Sequence, residues 1–241
     1  MVTTESLQRA YLLHARPYQE NRLLLDLLLE EGGRIAAVAR AGGRSGPAKR
    51  AQLQPFRPLL VGLTGHSSLR TLAQLDAPSL PLPLTGDALF AGLYLNELCQ
   101  RLIKEGDPLE GLFDSYHQAL VALASESPLQ PTLRHFELQL LQALGHLPPL
   151  HYDAQGVDIV EQQHYAWRVG MGLMATAQTG RGYQGAMLLN WQAQRLADEE
   201  QLRQAKHLIR SILRPLLGNK PLHSRTLFEK QRGRHEHSSG R

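Results

Sequence analysis

The sequence predicts an α+β protein in which a small five-stranded barrel is followed by a helical domain with a loop-rich insertion. Short apolar segments bounded by glycine and proline fill the first third of the chain, without strand–helix–strand alternation. A proline-rich linker follows at 77–87, and longer stretches with helical periodicity begin after it. We therefore predict a barrel domain at 1–78, a helical domain at 79–230 and a disordered tail at 231–241.

Five segments of the barrel domain are predicted strands. The leucine-rich segment 21–29 also fits a helix, but it is short and ends at Glu31-Gly32-Gly33, a turn signal that favours a strand. Segment 53–63 carries two prolines, which predicts an edge strand or a kinked strand. The glycine-rich segment 41–50 is a predicted loop. The five predicted strands are 7–15, 21–29, 34–39, 53–63 and 68–75.

Three consecutive helices with short connections are predicted after the linker, and together they predict a small antiparallel bundle. The first begins near Thr85 and ends at 106–108, the second runs up to Ser127-Pro128, and the third ends at Gly145. Glycine makes the following insertion, about 146–184, rich in loops, with short strands predicted at 164–169 and 171–177. An amphipathic helix is predicted at 198–214.

Basic residues are concentrated in the barrel domain, although the net charge of the whole chain is only +4. No acidic residue interrupts the sequence between Glu31 and Asp76. Such a segment indicates a polyanionic partner, with charge distributed for solubility as the alternative. The seven basic residues, which we predict to contact DNA, are Arg34, Arg40, Arg44, Lys49, Arg50, Arg57 and Arg70.

The loop at 41–50 is suited to following a phosphate backbone because its glycines leave the chain flexible and its cations attract phosphates. It lacks the glycine and lysine spacing of a nucleotide-binding P-loop. Tyr11, Tyr18 and Phe56 are the nearby aromatic residues. Each could stack on a base, and Phe56 fits the hydrophobic core equally well.

The helix at 198–214 carries a second basic stripe. Arg203, Lys206, Arg210 and Arg214 follow at spacings of three, four and four, which places them along one side of the helix. Like charges at this spacing repel each other, so an anionic partner would relieve them. A solvated face, with cations that favourably meet the helix dipole, is the alternative.

The sequence offers no metal or catalytic site. Cys99 is the single cysteine, so an internal disulfide and a cysteine-based zinc site are excluded. It lies in a predicted amphipathic helix. His146, His151, Asp153 and His164 do not match a compact zinc pattern. We therefore predict no cofactor and no enzymatic activity. Neither a signal peptide nor a membrane span is evident, so we predict a cytoplasmic protein.

Several stretches in order resemble the RecO proteins of the Gammaproteobacteria. They are HARPYQENRLLLDLLLEEGGRIAAVARAGGR, LQPFRPLLV, GLYLNELCQRL, LRHFELQLLQALGH and GNKPLHSRTLF, and the similarity extends from about residue 6 to residue 229. The resemblance implies an N-terminal OB-fold barrel, binding of single- and double-stranded DNA and annealing of complementary strands. It also implies a nucleoid-associated mediator of recombination that loads RecA onto strands coated by single-strand-binding protein, with RecR and, through the pathway, RecF as partners.

The resemblance also carries over to individual residues of the helical domain. In this family the acidic, Phe-ended tail of the single-strand-binding protein docks there, and the motif LRHFEL places Arg134 at the position of the tail-binding arginine. Phe136 would offer an apolar pocket, and Lys206 and Arg210 would add positive charge. Some relatives carry a four-cysteine zinc motif in the second domain. The matching region, 146–184, contains no cysteine here, so we predict no zinc.

Two other functions remain open at this stage. One is a protein-interaction adaptor with incidental charge. Loss of DNA affinity after Arg40, Arg44, Lys49 and Arg50 are changed to alanine would count against it. A metal-dependent nuclease needs carboxylates gathered around the metal ions, and the segment from Arg34 to Arg70 has none. Cleavage that depends on Mg²⁺ would identify the nuclease.

Overall fold

The computed structural model describes residues 6–65, 67–178, 182–224 and 226–227. These residues form two compact units: the first contains the chain up to Glu126 together with the segment from Pro221 onward, and the second is Ser127–Lys220. Within these ranges, no helix has the length and apolar character needed to cross a membrane. The predicted tail at 231–241 lies outside the described residues.

A closed five-stranded barrel forms the first part of the chain, as predicted. Its strands run in the order β1-β2-β3-β5-β4, and β1 closes on β4. Strands β3 and β5 are parallel, and all the other neighbours are antiparallel. The strands are β1 Gln8–Pro17, β2 Arg22–Leu29, β3 Gly33–Arg40, β4 Leu59–Thr64 and β5 Leu69–Asp76. This topology is that of an OB-fold.

Alternating side chains build the barrel interior. In β2, Leu25, Leu27 and Leu29 are buried in a cluster that also contains Ile35 of β3 and Val61 of β4. This alternation selects a strand over the competing helix, because the period of two places every second leucine in the core.

The predicted loop at 41–50 is only partly a loop, because α1 spans Gly46–Gln52. Pro47 lies in its first turn, where a proline sacrifices no helical hydrogen bond. Gly46 is buried, and a Cβ atom there would collide with the carbonyl oxygen of Ala41. The glycines therefore allow tight packing at the start of a helix, and the prediction of a flexible loop was wrong for this half of the segment.

Helices α2, Gly86–Leu102, and α3, Leu112–Ala124, belong to the first unit. The Nδ2 atom of Asn96 in α2 donates a hydrogen bond of 3.1 Å to the carbonyl of Leu13 in β1. From α3, Nδ1 of His117 lies 2.6 Å from the hydroxyl of Tyr11. The third predicted helix, α4 at Leu129–Ala143, belongs to the second unit, so the predicted three-helix bundle is wrong.

The second unit combines three helices with a small antiparallel sheet. The sheet has the order β7-β6-β8 and lies in the insertion, where its two longer strands match the predicted ones. Helix α6 contacts α4 and α5. Its buried side comprises Ala205, Leu208, Ile209, Ile212 and Leu213. The remaining elements of the unit are β6 His164–Arg168, β7 Gly172–Thr176, β8 Tyr183–Gln184, α5 Gly185–Gln192 and α6 Glu199–Leu217.

Candidate nucleic-acid interface

One half of the outer surface of β1, β2 and β3 is covered by helices of the same unit. Nη1 of Arg34 lies 2.7 Å from Oδ1 of Asp26, and its Nε donates 2.9 Å to the carbonyl of Ile103, just after α2. Gln100 of α2 donates to the second oxygen of Asp26 at 2.8 Å. Tyr11 of β1 is also buried. Burial raises the pKa of its hydroxyl to about 12, although the positive charge of Arg9 lowers it.

Two of the predicted DNA contacts are therefore engaged within the protein. Arg34 holds Asp26 and the end of α2, with only 18% of its side chain exposed. Arg57 donates from Nε to the carbonyl of Ser79 at 2.7 Å, and from its Nη atoms to the carbonyls of Ala51 and Ala77, both at 3.3 Å. Both guanidinium groups satisfy carbonyl oxygens, so their first role is to hold the fold.

The other half of this surface is open to solvent and basic. Arg22 in β2 lies directly opposite Arg40 in β3, and both are exposed. Arg16 in β1 is also exposed, and it begins the adjacent row, in which Leu24 and Val38 are half-buried. Residues directly opposite each other share a face of the sheet, so these five side chains form one surface, which we call the open face. None of its arginines forms an ion pair with a described residue.

The segment from Arg40 to α1 is fastened next to the open face. The amide of Ala41 donates 2.8 Å to the carbonyl of Asn21, and a Cβ atom at Gly42 would collide with the Asn21 side chain. Arg44 follows in this segment and is exposed. In α1, Arg50 is exposed and Lys49 is half-buried. The segment that carries these cations is therefore held at its start, where Ala41 and Gly42 lie against Asn21.

Arg70 and the aromatic residues contribute less to this surface than the sequence predicted. Arg70 lies two positions before the buried Leu72 on the same side of β5, and it is half-buried with an interaction of its own. Tyr11 and Phe56 are buried. Tyr18, in the turn that follows β1, is half-buried, and it alone of the three predicted aromatic residues keeps some exposure.

Arg16 and Arg22 belong to the open face, and neither was predicted from the sequence. They precede the acid-free segment that begins after Glu31, so a count of charge along the chain groups them with the acids around them. Only the strand register places Arg22 beside Arg40. A search for cations at the start of the predicted strand 21–29 and just after the predicted strand 34–39 would have found this pair.

The four residues predicted to hold an acidic tail differ in how far they are buried. Arg134 is 5% exposed, and its Nη2 lies 2.9 Å from Oε1 of Glu137. Phe136 is completely buried, so a partner could reach it only if this unit opened. Lys206 and Arg210 lie on α6, where Arg210 is exposed and Lys206 is half-buried with an interaction of its own. The structure thus leaves Arg210 as the accessible cation of the four.

The insertion is held by hydrogen bonds. Oε1 of Gln192 accepts from the amide of Leu150 and from Nε2 of Gln142, both at 2.8 Å. Oδ1 of Asp153 accepts from the amides of two residues in its own turn. Across the described ranges, no group of three or more histidine, cysteine or acidic residues is arranged to hold a metal ion.

A closed five-stranded barrel with a basic open face, joined to a helical unit, defines an OB-fold protein with an accessory helical domain. Family models agree with this class: the model for the N terminal of Recombination protein O matches residues 1–79, and the C terminal model matches residues 83–226. The chain belongs to the RecO family, and its role therefore lies in DNA repair and recombination.

Three relatives named DNA repair protein RecO illustrate the similarity. The protein of Pseudoalteromonas translucida is 39% identical over 91% of this chain and 96% of its own length. That of Haemophilus influenzae strain PittGG is 40% identical over 92% of this chain and 95% of its own. That of Vibrio vulnificus is 39% identical over 96% of both chains.

Proposed function

We propose that this protein binds single- and double-stranded DNA through the open face and anneals complementary strands without a catalytic step. The observation that carries the proposal is the exposed Arg22–Arg40 pair, with Arg16 in the adjacent row and no described acid paired with any of the three. Like charges placed directly opposite each other destabilise a sheet unless an anion lies against them. Phosphate is the anion that a DNA repair protein meets most often.

The chemistry of the open face fits a single strand. Arginines attract phosphates and release their counterions, while Leu24, Val38 and the partly exposed Tyr18 offer apolar surface for unpaired bases. Two strands whose charges are partly neutralised repel each other less, so complementary sequences meet more often. Arg44 and Arg50, on the segment fastened beside Asn21, can extend the phosphate contacts to a duplex.

Contacts with other proteins are a second part of the proposal. We propose that the protein acts with RecR and, through the pathway, RecF, and that it loads RecA onto strands coated by single-strand-binding protein. The resemblance to RecO supports these partners. The acidic tail of the single-strand-binding protein would meet Lys206 and Arg210 on α6, and contact with Arg134 and Phe136 would additionally require the second unit to open.

Fluorescence anisotropy of a labelled single strand, measured against ionic strength, tests the open face. The double variant Arg22→Ala/Arg40→Ala should bind more weakly, and its log–log salt dependence should be shallower by roughly 1.4 because about 0.7 is lost per phosphate contact. Arg9→Ala is the matched control, because Arg9 lies in the same barrel but pairs with Glu30 at 2.7 Å. Glu20→Gln, in the turn between β1 and β2, should strengthen binding by removing a negative charge.

Three outcomes would contradict the proposal. Wild-type protein that fails to bind DNA at low salt would indicate an adaptor. Cleavage of the strand in the presence of Mg²⁺ would indicate a nuclease. Equal losses in the Arg22→Ala/Arg40→Ala variant and in the Arg9→Ala control would place the DNA away from the open face.

A further inference from the structure

The second unit contains a groove between the β6–β7 hairpin and the C-terminal half of α6. Its volume is about 350 Å³, at the lower end of the range for pockets that accept a small ligand. Trp167 and Met171 of the hairpin line one side, and Ser211 and Pro215 of α6 line the other. His146 also lines it. The groove is therefore largely apolar, with an indole ring in its wall.

Unpaired cations stand on α6 next to this groove. Arg210 and Arg214 are exposed, and neither interacts with an acid among the described residues. They are four positions apart and so lie on the same face, and Ser211 and Pro215 follow each of them directly toward the groove. No acidic residue occurs in α6 after Glu200. An anion that enters the groove thus meets two free guanidinium groups at its edge.

We propose that this groove is a second site for single-stranded nucleic acid, in which a base stacks on Trp167 while the adjoining phosphates contact Arg210 and Arg214. The inference deepens the proposed annealing activity and rests on it, because a protein that holds one strand on the barrel and another on the second unit brings two strands together. Stacking on an aromatic ring next to cations is the usual chemistry of single-strand binding, and it tolerates any base sequence.

The acidic tail proposed above also uses Arg210, so the tail and a strand would compete for this edge of α6. The groove itself fits a nucleic-acid strand better than an acidic peptide. A strand presents a flat ring and an anionic phosphate in every repeat, which matches an indole in the wall and guanidinium groups one helical turn apart. The wall includes Gly145 and Gly170, and no atom lies within 4 Å of a Cβ atom added at either, so the backbone there leaves room for a planar ring to approach. An acidic peptide is the alternative ligand, and the experiment distinguishes the two.

Intrinsic tryptophan fluorescence reports on this site alone. The chain has two tryptophans, and both lie in the second unit, so their emission follows binding to that unit. Trp191 is buried, and its Nε1 donates 2.8 Å to the carbonyl of Arg134, which makes it a constant background. We expect an oligothymidine strand to quench the emission of Trp167, and the variant Trp167→Phe to lose this quenching.

A second experiment measures how the cations affect strand affinity and how Trp167 affects the rate of annealing. The variant Arg210→Gln/Arg214→Gln should need roughly tenfold more oligothymidine for half-maximal quenching, and the Trp167→Phe variant should anneal complementary strands roughly tenfold more slowly. Arg203→Gln is the matched control on the same helix, because Arg203 already pairs with Glu200. Unchanged Trp191 emission in Trp167→Phe verifies that the unit is folded.

The outcomes separate this inference from the proposed function. Quenching that persists in Arg22→Ala/Arg40→Ala, while that variant loses high-affinity binding, supports two sites. If anisotropy detects binding of the strand but the tryptophan emission is not quenched, the proposal of a second site is overturned and the proposal for the barrel stands. Quenching by an acidic peptide that ends in phenylalanine, with none by oligothymidine, also overturns it and makes the groove a peptide site.

Discussion

Arg22 of β2 and Arg40 of β3 lie directly opposite each other at the open end of the barrel, and both side chains are exposed. Two cations at opposed positions cost folding free energy, and an anion bound against both would offset that cost. An ion pair lies at the covered end of the same strands, where Nη1 of Arg34 is 2.7 Å from Oδ1 of Asp26. The same two strands thus carry a proposed binding pair, Arg22 and Arg40, and a folding pair, Arg34 and Asp26.

The first prediction is that removing one charge of the binding pair stabilises the fold but lowers the affinity for DNA. Arg40→Gln should raise the free energy of unfolding by about 0.2–1 kcal/mol, because it removes a repulsion between opposed charges, and it should weaken single-strand binding. Urea denaturation and anisotropy measure the two effects. Arg9→Gln should do the reverse, since it removes the ion pair with Glu30 and leaves the open face intact. A loss of stability in Arg40→Gln would show that the two charges do not repel.

The second prediction concerns Arg34, which the sequence analysis grouped with the DNA contacts. Arg34→Ala leaves Asp26 without its cation and removes the donor to Ile103, so it should lower the free energy of unfolding by about 1–3 kcal/mol. At temperatures where the variant remains folded, its affinity for a single strand should match that of the wild type. A variant with normal stability and reduced affinity would return Arg34 to the DNA interface.

The contrast between Arg34 and Arg40 shows how far sequence alone reaches. Short apolar runs and turn signals predicted five strands and their order along the chain, and a charge count predicted a basic surface. The count could not distinguish an arginine whose partner carbonyl lies at Ile103 from one that faces solvent, because that contact joins residues far apart in sequence. Strand register makes the distinction, and it also adds Arg22 to the surface.

The helices show the same limit in another form. Apolar periodicity predicted α2, α3 and α4 with nearly correct bounds, but periodicity does not say what an apolar face packs against. Tyr11 of the barrel is one residue against which α3 packs. The centroid of its ring lies 5.5 Å from that of Phe113 and 5.1 Å from that of Tyr116. This aromatic cluster holds α3 on the barrel, and nothing in the local sequence of either element predicts the pairing.

The third prediction uses Cys99, the single cysteine, which is completely buried in α2. Burial raises the pKa of its thiol well above the ordinary value, so almost no reactive thiolate is present at neutral pH. A thiol reagent should therefore label the folded protein only as fast as the first unit opens. Labelling should accelerate in urea in parallel with unfolding, and Arg34→Ala should be labelled faster than the wild type. Rapid labelling of the native protein, at the rate of a free thiol, would contradict this.

Glu97 of α2 anchors the returning C-terminal segment in the first unit. Its two carboxylate oxygens accept from the amides of His223 and Ser224, each at 2.9 Å, and the Ser224 hydroxyl donates at 2.7 Å. Burial alone would raise the pKa of this carboxyl group. The hydrogen bonds from Ser224 and His223, with the charge of Arg101, outweigh burial and hold the pKa below 4.5.

The fourth prediction follows from the sign of this shift. A carboxyl group whose pKa is lowered on folding stabilises the fold at pH values above its unfolded pKa, and this contribution disappears as the pH falls through the lower, folded value. Glu97→Gln should therefore be less stable than the wild type at pH 7, and the difference should shrink below about pH 4.5. Amide hydrogen exchange at His223 and Ser224 should accelerate in the variant at neutral pH. Glu110→Gln, an exposed glutamate of the same unit, is the matched control and should change neither quantity. A stability difference that stays constant from pH 7 to pH 3 would show that the carboxylate does not anchor the segment.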